Sequence, residues 1–314
     1  MKYILTNTAL LLTATVLFLS CNNPLATERG QRVAVSAVVE NMGVELKSEA
    51  DDAAEANVFG GIGTTPLTTK LIYTLGNDSG SAYITFTDKS PEWVKSGNNY
   101  LTYGNNEFSS IGLYPATSEN DGWAISDGKA THQIDGSTDL MFAPKIISNK
   151  DNFTSPTLQY KHLLTWINVL VSANTIDAIS HWGKIRKITI ESSENIEIGL
   201  TDDSIDYSTT NRPITVYNSD DGLSLNITTT PAGSVFVAPS TKLKVTVYTT
   251  VFTEGKTVDV TLRDLNNQDI TENQVSDVRG KLFVLNLTFT PLSILEGTCT
   301  LNYWNDQDED LFLS

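Results

Sequence analysis

The sequence predicts an all-β protein made of two stacked β-sandwiches, and three observations predict it. Thr, Val, Ile, Tyr and Phe gather in short runs separated by clusters of Gly, Asn, Asp, Ser and Pro. Several of those runs alternate apolar and polar residues with period two. Beyond residue 20, no long stretch carries the 3.6-residue periodicity of an amphipathic helix. The length that follows residue 20 lies near the upper limit for one hydrophobic core, which favours division into two domains.

Residues 1–20 stand outside the β pattern. Lys2 gives a positive start, residues 4–19 give an apolar run, and Ser20 places a small residue directly before Cys21. This is the pattern of a lipoprotein export signal: a peptidase needs a small residue at the cut, and lipid transfer needs the thiol of the residue that becomes the new N-terminus. Cys21 is then the lipidated residue, residues 1–20 are removed, and residues 21–31 form a tether to the outer membrane. The alternatives are an ordinary secretory signal or an N-terminal anchor, the latter disfavoured because the run is short for a span of about 20 residues. No second apolar run of that length follows, so the body faces the periplasm or the cell exterior.

The chain has 2 cysteines. Lipidation of Cys21 leaves Cys299 without an intramolecular partner, which excludes a disulfide framework and makes Cys299 a buried strand residue. The formal net charge of -16 excludes nucleic acid and anionic membrane surfaces as partners, since both would repel the chain.

Residues 32–39 alternate, with Val33, Val35, Ala37 and Val39 on one face of the first strand. Residues 51–56 suit a short acidic turn, and residues 82–87 alternate again. Residues 158–172 fit either a helix or a long buried strand; the β-branched and aromatic content favours a strand with a local helical turn near His162. The least periodic region, residues 172–183, holds the expected boundary between an N-terminal sandwich over residues 32–175 and a C-terminal one over residues 176–314. In the second half, residues 184–191, 223–230, 235–238, 242–252, 256–262 and 281–290 follow one another with turn signals between them. Leu243, Val245 and Val247 share one face and Lys242 and Lys244 the other, the mark of a half-buried antiparallel strand.

Catalytic patterns are missing. His132, His162 and His181 lie in unrelated contexts, none with metal-ligand spacing, and are expected to be structural or surface residues. The glycine-rich run at residues 60–65 lacks the lysine and the βα unit of a phosphate loop and reads as a connection. Residues 264–269 carry oxygen ligands at alternate positions but no glycine at the sixth, so a turn between strands is expected rather than a calcium loop. There is no nucleophile elbow, and no cofactor is implied. Two carboxyl groups brought together in space would suffice for glycoside hydrolysis, but nothing here selects a pair. Residues 308–310 read as a solvated acidic tail. Of Trp93, Trp123, Trp166, Trp182 and Trp304, most are expected to plug the open ends of sandwiches, with a sugar-stacking platform as the alternative.

Asp139-Leu140-Met141-Phe142-Ala143, followed by Leu158-Gln159-Tyr160-Lys161-His162-Leu163-Leu164, resembles the DL-x-x-A … L-x-F-x-H-x-L pattern of the fimbrillin family of Gram-negative anaerobes. Ile111-Gly112-Leu113-Tyr114-Pro115 resembles that family's strand end before a proline. The run from Arg279 through Gly280, Lys281 and Leu282 to Leu287 resembles its G-x-x-Y-x-l-x-l strand, and residues 300–304 its terminal strand ending in tryptophan. The matches occur in order across nearly the whole chain past residue 20. The resemblance implies two tandem transthyretin-like Greek-key β-sandwich domains in a subunit of a surface fimbria. It further implies passage as a lipoprotein, proteolytic removal of the first strand after a basic residue, and filling of the vacated groove by a strand from a neighbouring subunit. The strand bearing Val33, Val35, Ala37 and Val39 is then the one that occupies the groove before assembly; the alternative is a permanent edge strand.

Cutting at Arg29 or Arg32 would free the lipid but keep that strand, which leaves Lys47 as the nearby basic residue whose cleavage would open the groove. The short polar stretch after Trp304, ending Leu311-Phe312-Leu313, favours an accessory or tip subunit. The resulting expectation is a non-enzymatic adhesive subunit whose partners are other fimbrial subunits and host or bacterial surface ligands. Its alternatives are a glycan-binding surface lipoprotein of a polysaccharide-uptake system and a secreted glycoside hydrolase.

Overall fold

A computed structural model of the chain describes residues 31–39, 67–86, 91–116, 121–152, 156–292 and 295–302. Cys21, Lys47, the glycine-rich run at 60–65, the acidic stretches at 51–56 and 308–310, and Trp304 lie outside the described residues.

The first half forms β1 (Ala34–Val39), β2 (Leu67–Leu75), β3 (Asp78–Phe86), β4 (Glu92–Trp93), β5 (Lys95–Ser96), β6 (Asn99–Tyr100), β7 (Phe108–Tyr114), β8 (Ala124–Ser126), β9 (Lys129–Gln133), β10 (Met141–Ser148) and β11 (Thr157–His162). Seven of these make one sheet in the order β3-β2-β7-β10-β11-β1-β4. Strands β10 and β11 share only the pairs Met141↔His162 and Phe142↔Lys161. At that narrow joint the sheet turns a corner, so that β11 and β1 pack across from β2, β3 and β7 around a common apolar core. Tyr160 of β11 reaches over the core to hydrogen-bond Thr69 of β2, whose hydroxyl donates to the Leu113 carbonyl. Gly112 of β7 makes room for this bridge: a Cβ there would lie 2.1 Å from the Tyr160 hydroxyl. Burial pushes the Tyr160 pKa up, which keeps the bridging hydroxyl neutral.

The second half forms β12 (Thr165–Ala173), helix α1 (Ile176–Trp182), β13 (Lys184–Ser193), β14 (Asn195–Gly199), β15 (Ile205–Tyr207), β16 (Asn211–Ser224), β17 (Thr230–Val237), β18 (Lys242–Thr249), β19 (Lys256–Arg263), a 3-10 helix (Glu272–Val278), β20 (Leu282–Phe289) and β21 (Leu295–Leu301). Eight strands pair in the order β16-β13-β18-β19-β21-β20-β12-β17. A second corner falls at β19 and β21, which share only Leu262↔Cys299 and Arg263↔Thr300. The core between the two layers is built from Ile, Val, Leu and Phe of β12, β13, β18 and β20, and Cys299 is fully buried within it. The all-β, two-domain class expected from the sequence is the one observed.

Two local expectations need correction. The chain has no helical turn near His162: it closes β11, and Leu163 and Leu164 bend into the buried cluster between the two halves before β12 begins. Strand β12 lies ahead of the expected boundary at residue 175, yet it pairs along its length with β20 and β17 of the second sheet. Strand pairing therefore divides the chain at residues 163–164. The stretch with least periodicity is instead α1, too short to show a helical repeat, which starts where the Thr175 hydroxyl accepts from the Ala178 amide.

A four-stranded sheet, β15-β14-β9-β8, joins the halves: β9 from the first pairs with β14 from the second, from Asn195↔Gln133 to Gly199↔Lys129. Strand β7 is buried on both faces because Phe108 points to the first core while Ile111 and Leu113 point to this junction.

Candidate functional site

Strand β1 holds the residues expected in a replaceable strand. Val33, Val35 and Ala37 are 0%, 0% and 1% exposed and Val39 is 8% exposed, all on the core side. Period-two alternation thus translates directly into one buried face. What sets β1 apart is how its backbone is held. Its first part bonds to the segment after β3: the Val33 amide donates to the Leu101 carbonyl, the Val94 amide to the Val33 carbonyl, and Ala34 and Val35 pair with Trp93 and Glu92. From Ser36 onward β1 pairs parallel with β11, from Ser36↔Thr157 to Val39↔Tyr160. Among the described residues, each part has a strand on one side alone. Its counterpart in the second sheet, β12, has partners on both sides over Trp166 to Val171, antiparallel β17 and parallel β20.

The entrance of β1 is fastened by side chains. The Arg32 guanidinium lies 4.2 Å from the Tyr100 ring centroid and 5.8 Å from that of Trp93, a cation–π contact that fixes the strand where it enters the sheet. Lys95 Nζ also lies over Tyr100, at 4.9 Å. Arg32 bridges Thr102 in the backbone, and the Tyr103 amide donates to the Gln31 carbonyl. A protease needs an extended, unpaired stretch, and although the Arg32 side chain is exposed its backbone is bridged to Thr102, which disfavours a cut there in the folded chain.

The residues that carried the family resemblance converge at the junction of the two halves. His162 Nδ1 lies 2.6 Å from Asp139 Oδ2, with both side chains buried. Burial first, and then the Asp139 charge, hold the Tyr114 hydroxyl above its usual pKa. The Leu163 amide donates to the Leu140 carbonyl, the Tyr207 hydroxyl donates to the Leu163 carbonyl, and the Gly280 amide donates to the Leu164 carbonyl. Gly280 sits at φ 65°, and a Cβ there would crowd the His162 Cβ at 3.1 Å. An open cleft of about 650 Å³ adjoins this knot, with Phe142, Lys161, Leu163, Asp203, Arg279 and Lys281 in its lining.

The remaining candidates fall into place around these features. His132 is buried between the Gln133 and Asp121 carbonyls against Trp123, and His181 lies against Phe252. No group of three or more metal-ligating side chains occurs among the described residues. Residues 264–269 form a turn in which Asp264 Oδ1 accepts the amides of Asn266 and Gln268. Trp182 is wholly buried at the end of the second sandwich and Trp123 at the junction, whereas Trp93 is exposed beside β1. No helix among the described residues is long and apolar enough to cross a membrane.

No protein-family model and no curated protein matches the sequence. Solved structures match the fold. A candidate cell adhesion protein from Bacteroides uniformis aligns over 87% of this chain and 99% of its own, with a TM-score of 0.50 and 15% identity. Another from Bacteroides ovatus aligns over 88% and 98%, with a TM-score of 0.51 and 14% identity. A structure from Bacteroides thetaiotaomicron, described as a candidate polysaccharide binding protein, aligns over 87% and 96% with a TM-score of 0.50 and 13% identity. At such identities the likeness establishes a shared two-domain β architecture over nearly the whole of each chain.

Proposed function

We propose that the chain is a non-enzymatic, structural and adhesive subunit of a cell-surface fimbria, carried to the outer membrane by a lipid on Cys21 and assembled by strand exchange at the β1 position. The observation that carries this reading is the one-sided pairing of β1. A strand whose apolar face fills a core but whose backbone has one partner at a time loses few hydrogen bonds on leaving, and any segment with the same alternation regains them. The paired backbone at Arg32 supports Lys47 as the processing site, since Lys47 falls between β1 and β2 in the sequence and a cut there severs β1 from all that follows it. The names of the similar solved structures, adhesion proteins among them, accord with a role at the cell surface.

The glycan-binding alternative would need aromatic rings open to solvent on one face. Trp93 and Tyr100 are adjacent, but Arg32 and Lys95 lie over the Tyr100 ring, which makes the pair part of the fastening of β1 rather than an open platform.

The test uses purified chain lacking residues 1–21, treated with a lysine-specific protease and run unboiled on a denaturing gel. Cleavage after Lys47 is expected to give heat-sensitive oligomers, and Lys47→Ala to abolish them. A cut protein that stays monomeric would refute self-assembly and place the chain at a tip or anchor. Absence of any cut at Lys47 would remove that residue from the mechanism.

A further inference from the structure

We propose that the cleft at the junction of the two sandwiches is a binding site for a short acidic saccharide carrying one carboxylate. This goes beyond the assembly reading and stands whether or not β1 is exchanged. The cleft is built before any ligand arrives. Arg279, Gly280 and Lys281 are held by the Gly280 amide on the Leu164 carbonyl and by the Trp166 amide on the Lys281 carbonyl, so the two cationic side chains project from a fixed backbone. Arg279 Nε contacts the Ser276 carbonyl at 3.4 Å and its guanidinium also bonds the Tyr207 hydroxyl, which leaves further N–H donors of its five for a ligand. Lys281 makes no ion pair among the described residues.

A carboxylate in the same lining supplies the complementary group. Asp203 sits in the turn between β14 and β15 at φ 55°, its amide donating to the Gly199 carbonyl, and its buried Oδ1 has no hydrogen-bond partner. A buried carboxylate oxygen without a donor is costly, and a ligand that brings a donor recovers that cost. Half-buried Ile205 adds an apolar side chain to the lining, while Phe142 and Leu163, 2% and 0% exposed, back the cleft from within the core. A ligand that fits must therefore combine an anion for Arg279 and Lys281, an O–H donor for Asp203, and an apolar face. A sugar acid has all three, whereas inorganic phosphate offers no apolar face. The cleft volume of about 650 Å³ lies inside the range that holds small-molecule ligands. The chain's net charge of -16 repels polyanions at long range and so selects for a single carboxylate.

The experiment titrates the purified chain with sialyllactose by calorimetry and saturation-transfer NMR, with lactose and acetyl-dialanine, which has a free carboxylate, as comparisons. Saturable binding of sialyllactose is expected, with lactose and acetyl-dialanine at least about tenfold weaker, the range of one charge-assisted hydrogen bond. Lys281→Gln should weaken sialyllactose about tenfold with an unchanged melting temperature. Asp203→Gly, which tolerates the positive φ and removes the acceptor, should weaken it similarly. The proposal is overturned if no binding occurs at millimolar sialyllactose, if lactose binds equally, if acetyl-dialanine binds equally and so points to a peptide carboxylate, or if both variants bind as the parent does.

Discussion

Val35→Asp is expected to unfold the first sandwich while the second keeps its own transition. Val35 is fully buried in an apolar core shared by β1, β2, β3, β7 and β11. Placing an unpaired charge there costs several kcal/mol even after the group takes up a proton. A domain of this size has only about 5–15 kcal/mol in hand. The neighbouring Val38, which is half-buried on the other face, is the control: Val38→Asp should shift stability by no more than about 1 kcal/mol. Urea unfolding followed by tryptophan fluorescence separates the two halves, because Trp93 and Trp123 report on the first and Trp166 and Trp182 on the second. Equal effects at the two positions would show that β1 does not bury one face. The same substitution also bears on assembly, since a strand carrying aspartate at this point should fail to enter another subunit's groove.

Asp139→Ala is expected to destabilise the junction by about 1–3 kcal/mol, the range for leaving a buried hydrogen-bonding group without its partner. The loss arises less from the missing attraction than from what remains: His162 stays buried beside the bend at Leu163 and Leu164 with its Nδ1 partner gone. Replacing both members, Asp139→Leu with His162→Leu, should recover most of the loss, because apolar groups need no partners there. Chemical denaturation of the two single variants and the double variant gives the coupling directly. An Asp139→Ala effect under about 1 kcal/mol would mean that water reaches the pair and satisfies His162. Since Asp139 and His162 are the polar positions of the two runs that resemble fimbrillins, the coupling explains in physical terms why those two runs occur together: they are the two halves of one fastening.

The strands were readable where one face meets a core and the other meets water. Lys242 to Val247 became β18 with Leu243, Val245 and Val247 buried and Lys244 paired to Glu191 across the surface at 2.8 Å. Residues 184–191 became β13, although a bulge between Ile185 and Lys187 shifts the alternation, which is why Ile185 and Ile188 both face inward. Strand β2 carried a signal that was missed. Gly76-Asn77 joins it to β3, with Gly76 at φ 61°, and a two-residue Gly-Asn link between alternating runs is a hairpin mark. Strand β12 was harder, since Trp166 and Leu170 sit on its half-buried face while Ile167, Val169 and Val171 fill the core, so apolar residues on both faces blur the alternation that its burial shows.

The face of β1 was legible at Val33, Val35, Ala37 and Val39 because burial of alternate residues is a local property. Its one-sided pairing was not, because that depends on where β4 and β11 end, more than fifty residues downstream for the first and more than a hundred for the second. The junction sheet was not legible for the same reason: β9 and β14 are each short and gain their meaning only from one another. The cleft was not legible either, as Asp203 belongs to the turn between β14 and β15 and Arg279 and Lys281 to the segment before β20, and the topology alone decides that these meet. The resemblance to fimbrillins nonetheless passed through its lining, at Phe142 and Leu163 and at Arg279 to Lys281.

The central claim is that β1 can be replaced by another copy of the same strand. The direct measurement mixes chain cleaved after Lys47 with a fluorescent peptide spanning residues 31–40 and follows incorporation by size-exclusion chromatography. The account predicts slow, one-to-one uptake of the peptide that survives dilution, together with release of the original segment and no uptake of the same peptide carrying Val35→Asp. If the cleaved segment stays bound and the labelled peptide never enters, or if the Val35→Asp peptide enters equally well, β1 is a permanent strand of the first sandwich and assembly by exchange at this position is contradicted.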